Sequence, residues 1–156
     1  MDKKKKHPIF EIYAQKKSDM GSSTITVKTI VNKEADKVWD YYTDPIHIVN
    51  WNFADTSWHC PRAENDLRIG GIYNARMEAK DGSMGFDFKA IYTEISVGKS
   101  FTYDFGEREA TVEFKDLNGQ TEVLVTFDPE QENPLEMQRE GWQAILNNFK
   151  EYAERN

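Results

Sequence analysis

The last part of the chain is predicted to form one long amphipathic helix, and this helix limits the possible folds more than any other feature. Asn133-Pro134 supplies a capping residue and a first-position proline, so the helix is predicted to begin there and run for about 20 residues. Apolar residues recur at steps of three and four and form one stripe: Trp142, Ile145, Leu146, Phe149 and Ala153. The polar residues Glu140, Gln143, Asn147, Lys150 and Glu154 face away from it. A stripe this rich in aromatic rings needs a broad apolar surface to cover it.

A β-sheet is predicted to supply that surface. From about residue 57 to residue 129 the chain consists of short runs of alternating apolar and polar residues, joined by turn signals. Asp81-Gly82 is one such turn, and Asn118-Gly119 is the strongest short hairpin signal in the sequence. Because consecutive hairpins place neighbouring strands side by side, we expect an antiparallel meander whose concave face holds the long helix.

The first third of the chain is predicted to contain a strand and two short helices. The β-branched segment 24–31 is typical of a strand, and Asn32 is placed to cap a helix over about 34–43. Asp44-Pro45 then begins a second short helix that ends near Trp51. The whole pattern predicts an α+β protein with the helix-grip fold: a curved antiparallel sheet of six to seven strands around a long C-terminal helix, with two short helices after the first strand.

Residues 1–23 carry a net positive charge, whereas the remainder of the chain is acidic. They are predicted to be a flexible leader or an expression remnant, followed by one domain over residues 24–156. The lysine run Lys3–Lys6 resembles the start of an export signal, but Glu11 and Lys16-Lys17 interrupt any apolar core, so export is not expected. A localisation or membrane-surface signal is the alternative for this run.

The composition argues against several classes of function. The chain has 20 basic and 27 acidic residues, for a formal net charge of −7, whereas a general nucleic-acid binder needs a basic face. The single cysteine, Cys60, excludes an internal disulfide and suits a reducing compartment, so a cytoplasmic location is expected. No apolar run approaches the roughly 18 residues of a membrane span, so membrane insertion is not expected.

No metal, cofactor or catalytic residue is predicted. The soft ligands of the folded part are His47, His59 and Cys60, and the last two are adjacent, so their side chains would diverge on a strand. Cys60 is expected to be an inert thiol, buried or half-buried. The acid–base groups of the sheet are predicted to lie on its outer, solvated face: Arg76, Glu78, Asp87 and Glu94.

Several short motifs resemble a known family in the order in which they occur. They are Val38-Trp39 followed by Thr43-Asp44-Pro45 and Trp51, then Asp66–Gly71, then Asp81-Gly82-Ser83 with Tyr92–Ile95, and finally Gly141-Trp142. This pattern resembles the START-like superfamily (SRPBCC or Bet v 1-like), and within it the homologues of the activator of the heat-shock-protein-90 ATPase. The resemblance covers about residues 24–153. It implies the helix-grip fold and an internal cavity, since members bind lipids, hormones or polyketides.

The expected function is therefore non-catalytic binding of a small hydrophobic molecule, such as a lipid, an aromatic or a polyketide-like compound. The predicted cavity-lining residues combine apolar surface with a few hydroxyl and indole donors: Trp51, Trp58, Tyr73, Met77, Phe86, Phe88, Tyr103, Phe114, Trp142, Ile145 and Phe149. The alternative for these rings is a closed core without a cavity. The alternative functions are a chaperone-associated interaction module and a cyclase or hydrolase using the same cavity, and a homodimer is left open.

Overall fold

The structure, a computed structural model, describes residues 23–156. The predicted leader, residues 1–23, lies outside the described residues apart from Ser23. The elements in chain order are β1 (Ile25–Val31), α1 (Ala35–Thr43), α2 (Pro45–Ile48), β2 (Trp58–Asn65), β3 (Ile72–Ala79), β4 (Gly85–Ser96), β5 (Ser100–Phe105), β6 (Arg108–Asp116), β7 (Thr121–Phe127) and α3 (Leu135–Arg155).

The seven strands form one antiparallel sheet in the order β1-β7-β6-β5-β4-β3-β2. The meander runs from β2 to β7, and β1 pairs with β7 as the strand at the far edge. The pairing register shifts between His59 and Arg62 and again between Tyr92 and Glu94, and such bulges bend and twist a sheet. The predicted α+β helix-grip fold is confirmed: the curled sheet grips α3, and two short helices follow β1.

The hairpin predicted at Asn118-Gly119 is confirmed. Asn118 has φ 61° and Gly119 has φ 98°, and two successive positive φ angles define the type I′ turn that matches the twist of paired strands. The Leu117 N–H donates to the Gln120 carbonyl at 2.8 Å and closes this turn. The turn therefore sets the register of β6 against β7.

The capping predictions are correct for α2 and wrong for α1. Asp44 caps α2 by accepting a hydrogen bond from the Ile46 N–H at 3.1 Å, although that helix ends at Ile48 rather than near Trp51. The N-cap of α1 is Glu34, not Asn32. Asn32 instead donates its backbone N–H to the Glu154 carboxylate at 2.8 Å, which ties the end of β1 to the last helix.

The start of α3 also differs from the prediction. Pro134 is the N-cap residue and the helix begins at Leu135, one residue later than expected. Asn133 does not cap the helix, because its side-chain amide donates to the Glu130 carboxylate in the preceding loop. The Gln138 side chain holds this loop against the helix, since it donates to the Asn133 carbonyl at 2.8 Å and accepts from the Glu130 N–H at 2.8 Å.

Side chains of α3 bind the free edge of the sheet. Edge strands carry unpaired carbonyls, and here three helix side chains donate to them: Arg139 to Thr26 at 3.2 Å, Gln143 to Lys28 at 3.1 Å and Lys150 to Ile30 at 2.6 Å. Part of the helix face predicted to be solvated therefore fixes α3 over the sheet.

Within residues 23–156, no helix is both long and apolar enough to cross a membrane.

Candidate functional site: an internal cavity

A cavity of about 310 Å³ lies between the concave face of the sheet and α3. Its walls come from α1, from the loop after α2, from strands β3 to β7 and from α3. The described residues that line it are Tyr42, Trp51, Asn52, Tyr73, Met77, Phe86, Phe88, Tyr103, Phe105, Arg108, Val125, Trp142, Ile145 and Leu146. The lining is mostly aromatic and aliphatic, with a few phenol, amide and guanidinium groups.

Exposure along the strands shows which end of the cavity is closed. On β5 the inward-facing residues Phe101 and Tyr103 are 2% and 6% exposed, whereas Phe105 is only partly buried. On β4 the exposed fraction rises from 1% at Tyr92 to 49% at Phe86. The cavity is therefore closed near Phe101 and Tyr92, and it opens towards Phe86 and Phe105. We call these the closed end and the open end.

The open end combines aromatic rings with one cation. The Arg108 guanidinium lies 4.6 Å from the centre of the Phe105 ring, and its Nε donates to the Asp128 carbonyl at 3.3 Å. Phe86 packs edge-on against Trp58 with ring centres 6.1 Å apart. Such a cation–π arrangement keeps the Arg108 side chain beside the opening.

The closed end is apolar except for a cluster of phenols and one amide. Asn52 donates its side-chain N–H to the Tyr73 hydroxyl at 3.4 Å. Burial, and secondarily the neighbouring phenols, raises the pKa of Tyr73 and of Tyr103 above the usual value. The pKa of Tyr42 is also raised, mainly by burial. These hydroxyls therefore remain protonated at neutral pH, and they are available as neutral hydrogen-bonding groups.

Eight of the eleven residues predicted from the sequence to line the cavity do so, namely Trp51, Tyr73, Met77, Phe86, Phe88, Tyr103, Trp142 and Ile145. The structure places the other three, Trp58, Phe114 and Phe149, outside the lining. Whether any of the eleven binds a ligand stays a prediction.

The three residues outside the lining support its walls. Phe114 packs edge-on against Trp39, with ring centres 5.2 Å apart, so it fills the core beyond the closed end. Phe149 is fully buried, and it packs against Tyr42 and Trp51 with ring centres 4.9 and 5.0 Å away. The apolar periodicity of a strand or a helix identifies its inner face. It does not distinguish residues that border a cavity from residues that pack in the core around it.

Six lining residues were not predicted: Tyr42, Asn52, Phe105, Arg108, Val125 and Leu146. Four of them lie on apolar stripes or alternating runs, so their pattern alone was enough to include them. Asn52 and Arg108 have no such signal, because a polar side chain in a loop or at a strand end is usually solvated. Only the fold brings them to the cavity.

Arg76, Glu78 and Asp87 lie on the outer face of the sheet, as the alternation predicts, and they form ion pairs there. The Arg76 guanidinium lies 2.8 Å from the Glu78 carboxylate and 3.5 Å from that of Asp87, and His59 lies 3.7 Å from Glu78. The hydrogen bond from Arg76 lowers the pKa of Glu78. Exposed pairs of this kind contribute little to stability.

Among residues 23–156, no group of three or more His, Cys, Asp or Glu side chains is arranged to hold a metal ion.

The motifs of the chain match a known family model over most of its length. The model, described as "Activator of Hsp90 ATPase homolog 1-like protein" and abbreviated AHSA1, matches residues 32–154. The chain belongs to this family. Among proteins with curated functions, none is significantly similar to it.

Solved structures of similar proteins share the AHSA1-like fold. The AHSA1-like protein from Aeromonas hydrophila is 37% identical, with a TM-score of 0.80, and the match covers 85% of this chain and 92% of that one. A protein from Cytophaga hutchinsonii is 43% identical, with a TM-score of 0.74 and coverage of 86% and 94%. A protein from Chromobacterium violaceum, at 20% identity, TM-score 0.75 and coverage of 86% and 99%, shares the fold alone.

The segment Asp66–Gly71 has a structural role in this AHSA1-like chain. Gly70 has φ +86°, and a Cβ on Gly71 would lie 2.0 Å from the Asp66 carbonyl oxygen. The Gly70 N–H donates to the Tyr92 carbonyl at 2.8 Å, and the Tyr92 N–H donates to the Gly71 carbonyl at 3.0 Å. The two glycines therefore let the connection between β2 and β3 pack closely against β4.

Cys60 of this AHSA1-like protein is expected to react slowly with alkylating reagents. Its side chain is 2% exposed, its Sγ donates to the Arg62 carbonyl at 3.5 Å, and burial raises the pKa of the thiol to about 11. Because the thiolate is the reactive form, iodoacetamide at pH 8 should modify the folded protein at least tenfold more slowly than the urea-unfolded chain. Mass spectrometry over time measures both rates, and equal rates would contradict the prediction.

Proposed function

We propose that this AHSA1-like protein binds a compact hydrophobic molecule in its internal cavity without changing it chemically. The observation that carries the proposal is the apolar space of about 310 Å³ beneath α3. Protein interiors are normally packed to crystal-like density, so a space of this size is unusual for a core that serves stability alone. Its mixture of apolar surface and a few polar groups is typical of small-molecule sites.

The volume favours a compact ligand over a long-chain lipid. Small-molecule sites typically measure roughly 300–1,000 Å³, and this cavity lies at the lower end of that range. Its flat aromatic walls suit stacking and edge-on contacts with a ligand of one to three rings. Aromatic and small polyketide-like compounds therefore fit better than fatty acids.

The ionisable groups of the lining support binding rather than acid–base chemistry. They are the phenols of Tyr42, Tyr73 and Tyr103 and the guanidinium of Arg108. Burial raises the pKa of the phenols, so they are poor general bases at neutral pH. In this state they orient a ligand by hydrogen bonds.

Ligands that fit the cavity are expected to raise the melting temperature of the protein. At a ligand concentration of one hundred times Kd, binding stabilises the native state by about 2.7 kcal/mol, which corresponds to roughly 5–10 °C for a chain of this size. Differential scanning fluorimetry with one- to three-ring aromatic compounds and short lipids measures the effect.

A matched pair of variants locates the binding site. Ile145→Trp places a larger side chain into the cavity and is expected to abolish the ligand-induced shift. Met137→Trp makes a similar change on the same helix at a residue that is 57% exposed, so its shift should equal that of the wild type. If no compound stabilises the wild type, or if Ile145→Trp responds normally, the proposed function is wrong.

Catalysis in the same cavity is the second candidate, because three phenols converge at the closed end. An aromatic polyketide mimic or ester incubated with the protein should be recovered unchanged if the protein only binds it. Turnover that is lost in Ile145→Trp would favour a cyclase or hydrolase instead.

The family description names an ATPase activator, so contact with a chaperone is a further alternative, and capture of heat-shock protein 90 by the purified protein tests it.

A further inference from the structure

Two tyrosines of the cavity lining have hydroxyls without a hydrogen bond to the described part of the chain. Neither Tyr103 nor Tyr42 forms a side-chain hydrogen bond within residues 23–156, although Tyr103 is only 6% exposed. Both hydroxyls also keep some accessible surface. Within residues 23–156, the Asn74 Oδ1 is the only fully buried side-chain oxygen or nitrogen that has no hydrogen-bond partner. Both residues line the cavity, so it is the space beside these two unpartnered side chains.

Tyr92, immediately outside the lining, provides an internal comparison. Buried tyrosines usually find a partner for the hydroxyl, and Tyr92 does so by donating to the Asn65 side chain at 2.8 Å. Asn65 in turn donates to the Thr43 carbonyl at 2.7 Å. The ring centres of Tyr92 and Tyr103 are only 5.7 Å apart. One of two neighbouring phenols is therefore hydrogen-bonded to the protein, whereas the other belongs to the cavity lining and has no such partner within residues 23–156.

A third phenol adds a hydrogen-bond donor to the same end of the cavity. The Tyr73 hydroxyl accepts a hydrogen bond from Asn52 at 3.4 Å, which leaves its own proton free to be donated. The Tyr73 and Tyr103 rings are 5.6 Å apart, and both residues line the closed end. Tyr42, Tyr73 and Tyr103 thus contribute three protonated phenols to the lining of one cavity, and we call them the phenol cluster.

We propose that the phenol cluster is a subsite for an uncharged oxygen acceptor, a carbonyl or hydroxyl group, at one end of a compact hydrophobic ligand. This inference rests on the proposed binding function and specifies the ligand class. The apolar body of the ligand then lies towards the open end, against Phe88 and Phe105.

An uncharged group suits the cluster better than an ionised one. Transfer of a carboxylate into an apolar cavity is costly unless a cation pairs with it, and the cation of the lining, Arg108, lies at the open end. The raised pKa values of the phenols agree with this, since the same environment already disfavours a negative charge on Tyr73 and Tyr103. A carbonyl oxygen requires only hydrogen-bond donors.

Matched ligands test the subsite. We would measure binding of 2-acetylnaphthalene, 2-ethylnaphthalene and 2-naphthoate, which keep the same ring system and carry a ketone, a hydrocarbon or a carboxylate. The ketone is expected to bind about five- to tenfold more tightly than the hydrocarbon, because it gains at least one hydrogen bond. It is also expected to bind more tightly than the carboxylate. One-ring and alkyl methyl ketones with matched hydrocarbons extend the series to smaller ligands.

Tyrosine-to-phenylalanine variants assign the preference to the cluster. Tyr103→Phe and Tyr42→Phe should each weaken ketone binding about fivefold and leave hydrocarbon binding unchanged. Because neither hydroxyl has a partner in the described protein, both variants should melt within about 3 °C of the wild type. Tyr152→Phe is the matched control, since its hydroxyl bonds His47 at 2.7 Å outside the cavity lining and its loss should not alter the ketone preference.

Each of the other outcomes overturns the inference. Equal binding of ketone and hydrocarbon, or a ketone preference that survives both Tyr→Phe changes, removes the subsite while the binding function stands. Tighter binding of the carboxylate would assign polar recognition to the cation at the open end. If no member of the series binds, the proposed function fails together with the subsite.

Discussion

Replacement of Phe149 by alanine is expected to lower the free energy of unfolding by about 3–5 kcal/mol. The Phe149 side chain is fully buried on α3, and its ring contacts Tyr42 and Trp51 with centre-to-centre distances of 4.9 and 5.0 Å. Truncation removes buried apolar surface and leaves a hole next to the existing cavity, and relaxation of the surrounding residues fills such a hole only in part.

Urea unfolding monitored by tryptophan fluorescence and circular dichroism measures this loss. Met137→Ala is the matched control on the same helix, because Met137 is 57% exposed and its truncation should change stability by less than about 0.5 kcal/mol. A loss below about 1 kcal/mol for Phe149→Ala would mean that α3 is not anchored to the rest of the fold at this residue.

Gly71→Ala is expected to destabilise the protein by about 3 kcal/mol or more. A methyl group at this position would lie 2.0 Å from the Asp66 carbonyl oxygen and 3.0 Å from the Arg68 carbonyl oxygen, so the backbone itself must move. That movement would disturb the hydrogen bonds through which Gly70 and Gly71 pair with Tyr92. The connection between β2 and β3 would then separate from β4.

Gly141→Ala is the control for the same chemical change at a permissive position. Nothing lies within 4 Å of a Cβ at Gly141, and the residue is inside α3, where alanine is favoured over glycine by about 0.5–1 kcal/mol. Thermal unfolding should therefore show a lower melting temperature for Gly71→Ala and a slightly higher one for Gly141→Ala. The opposite order would contradict the close packing inferred at Gly71.

The cavity explains why the sequence pattern predicted most, but not all, of its lining. Strand alternation places Tyr73, Met77 and Tyr103 on the inner face, and the helical stripe does the same for Trp142 and Ile145. Periodicity reports which side of an element is apolar. It carries no information on whether the opposite wall is in contact or several ångströms away, so the residues that border the space could not be separated from those that close the core.

Polar residues of the site were the least predictable. Asn52 comes from the loop after α2, and it meets Tyr73 only because the sheet curls under that loop. Arg108 is at the start of β6, where a solvated side chain is the ordinary expectation. Their roles depend on contacts between residues far apart in the chain.

The order of elements, the antiparallel meander, the long C-terminal helix and the Asn118-Gly119 turn were determined by the sequence alone, because local periodicity and backbone preferences specify them. The helix start at Leu135, the pairing of α3 side chains with the β1 edge and the space left beneath α3 were decided by the tertiary structure. The physical reason is that a cavity is a property of two surfaces together. The apolar face of the sheet and that of α3 are each specified by the local sequence. The distance between the two faces depends on the curvature of the whole sheet and on the contacts that hold the helix above it.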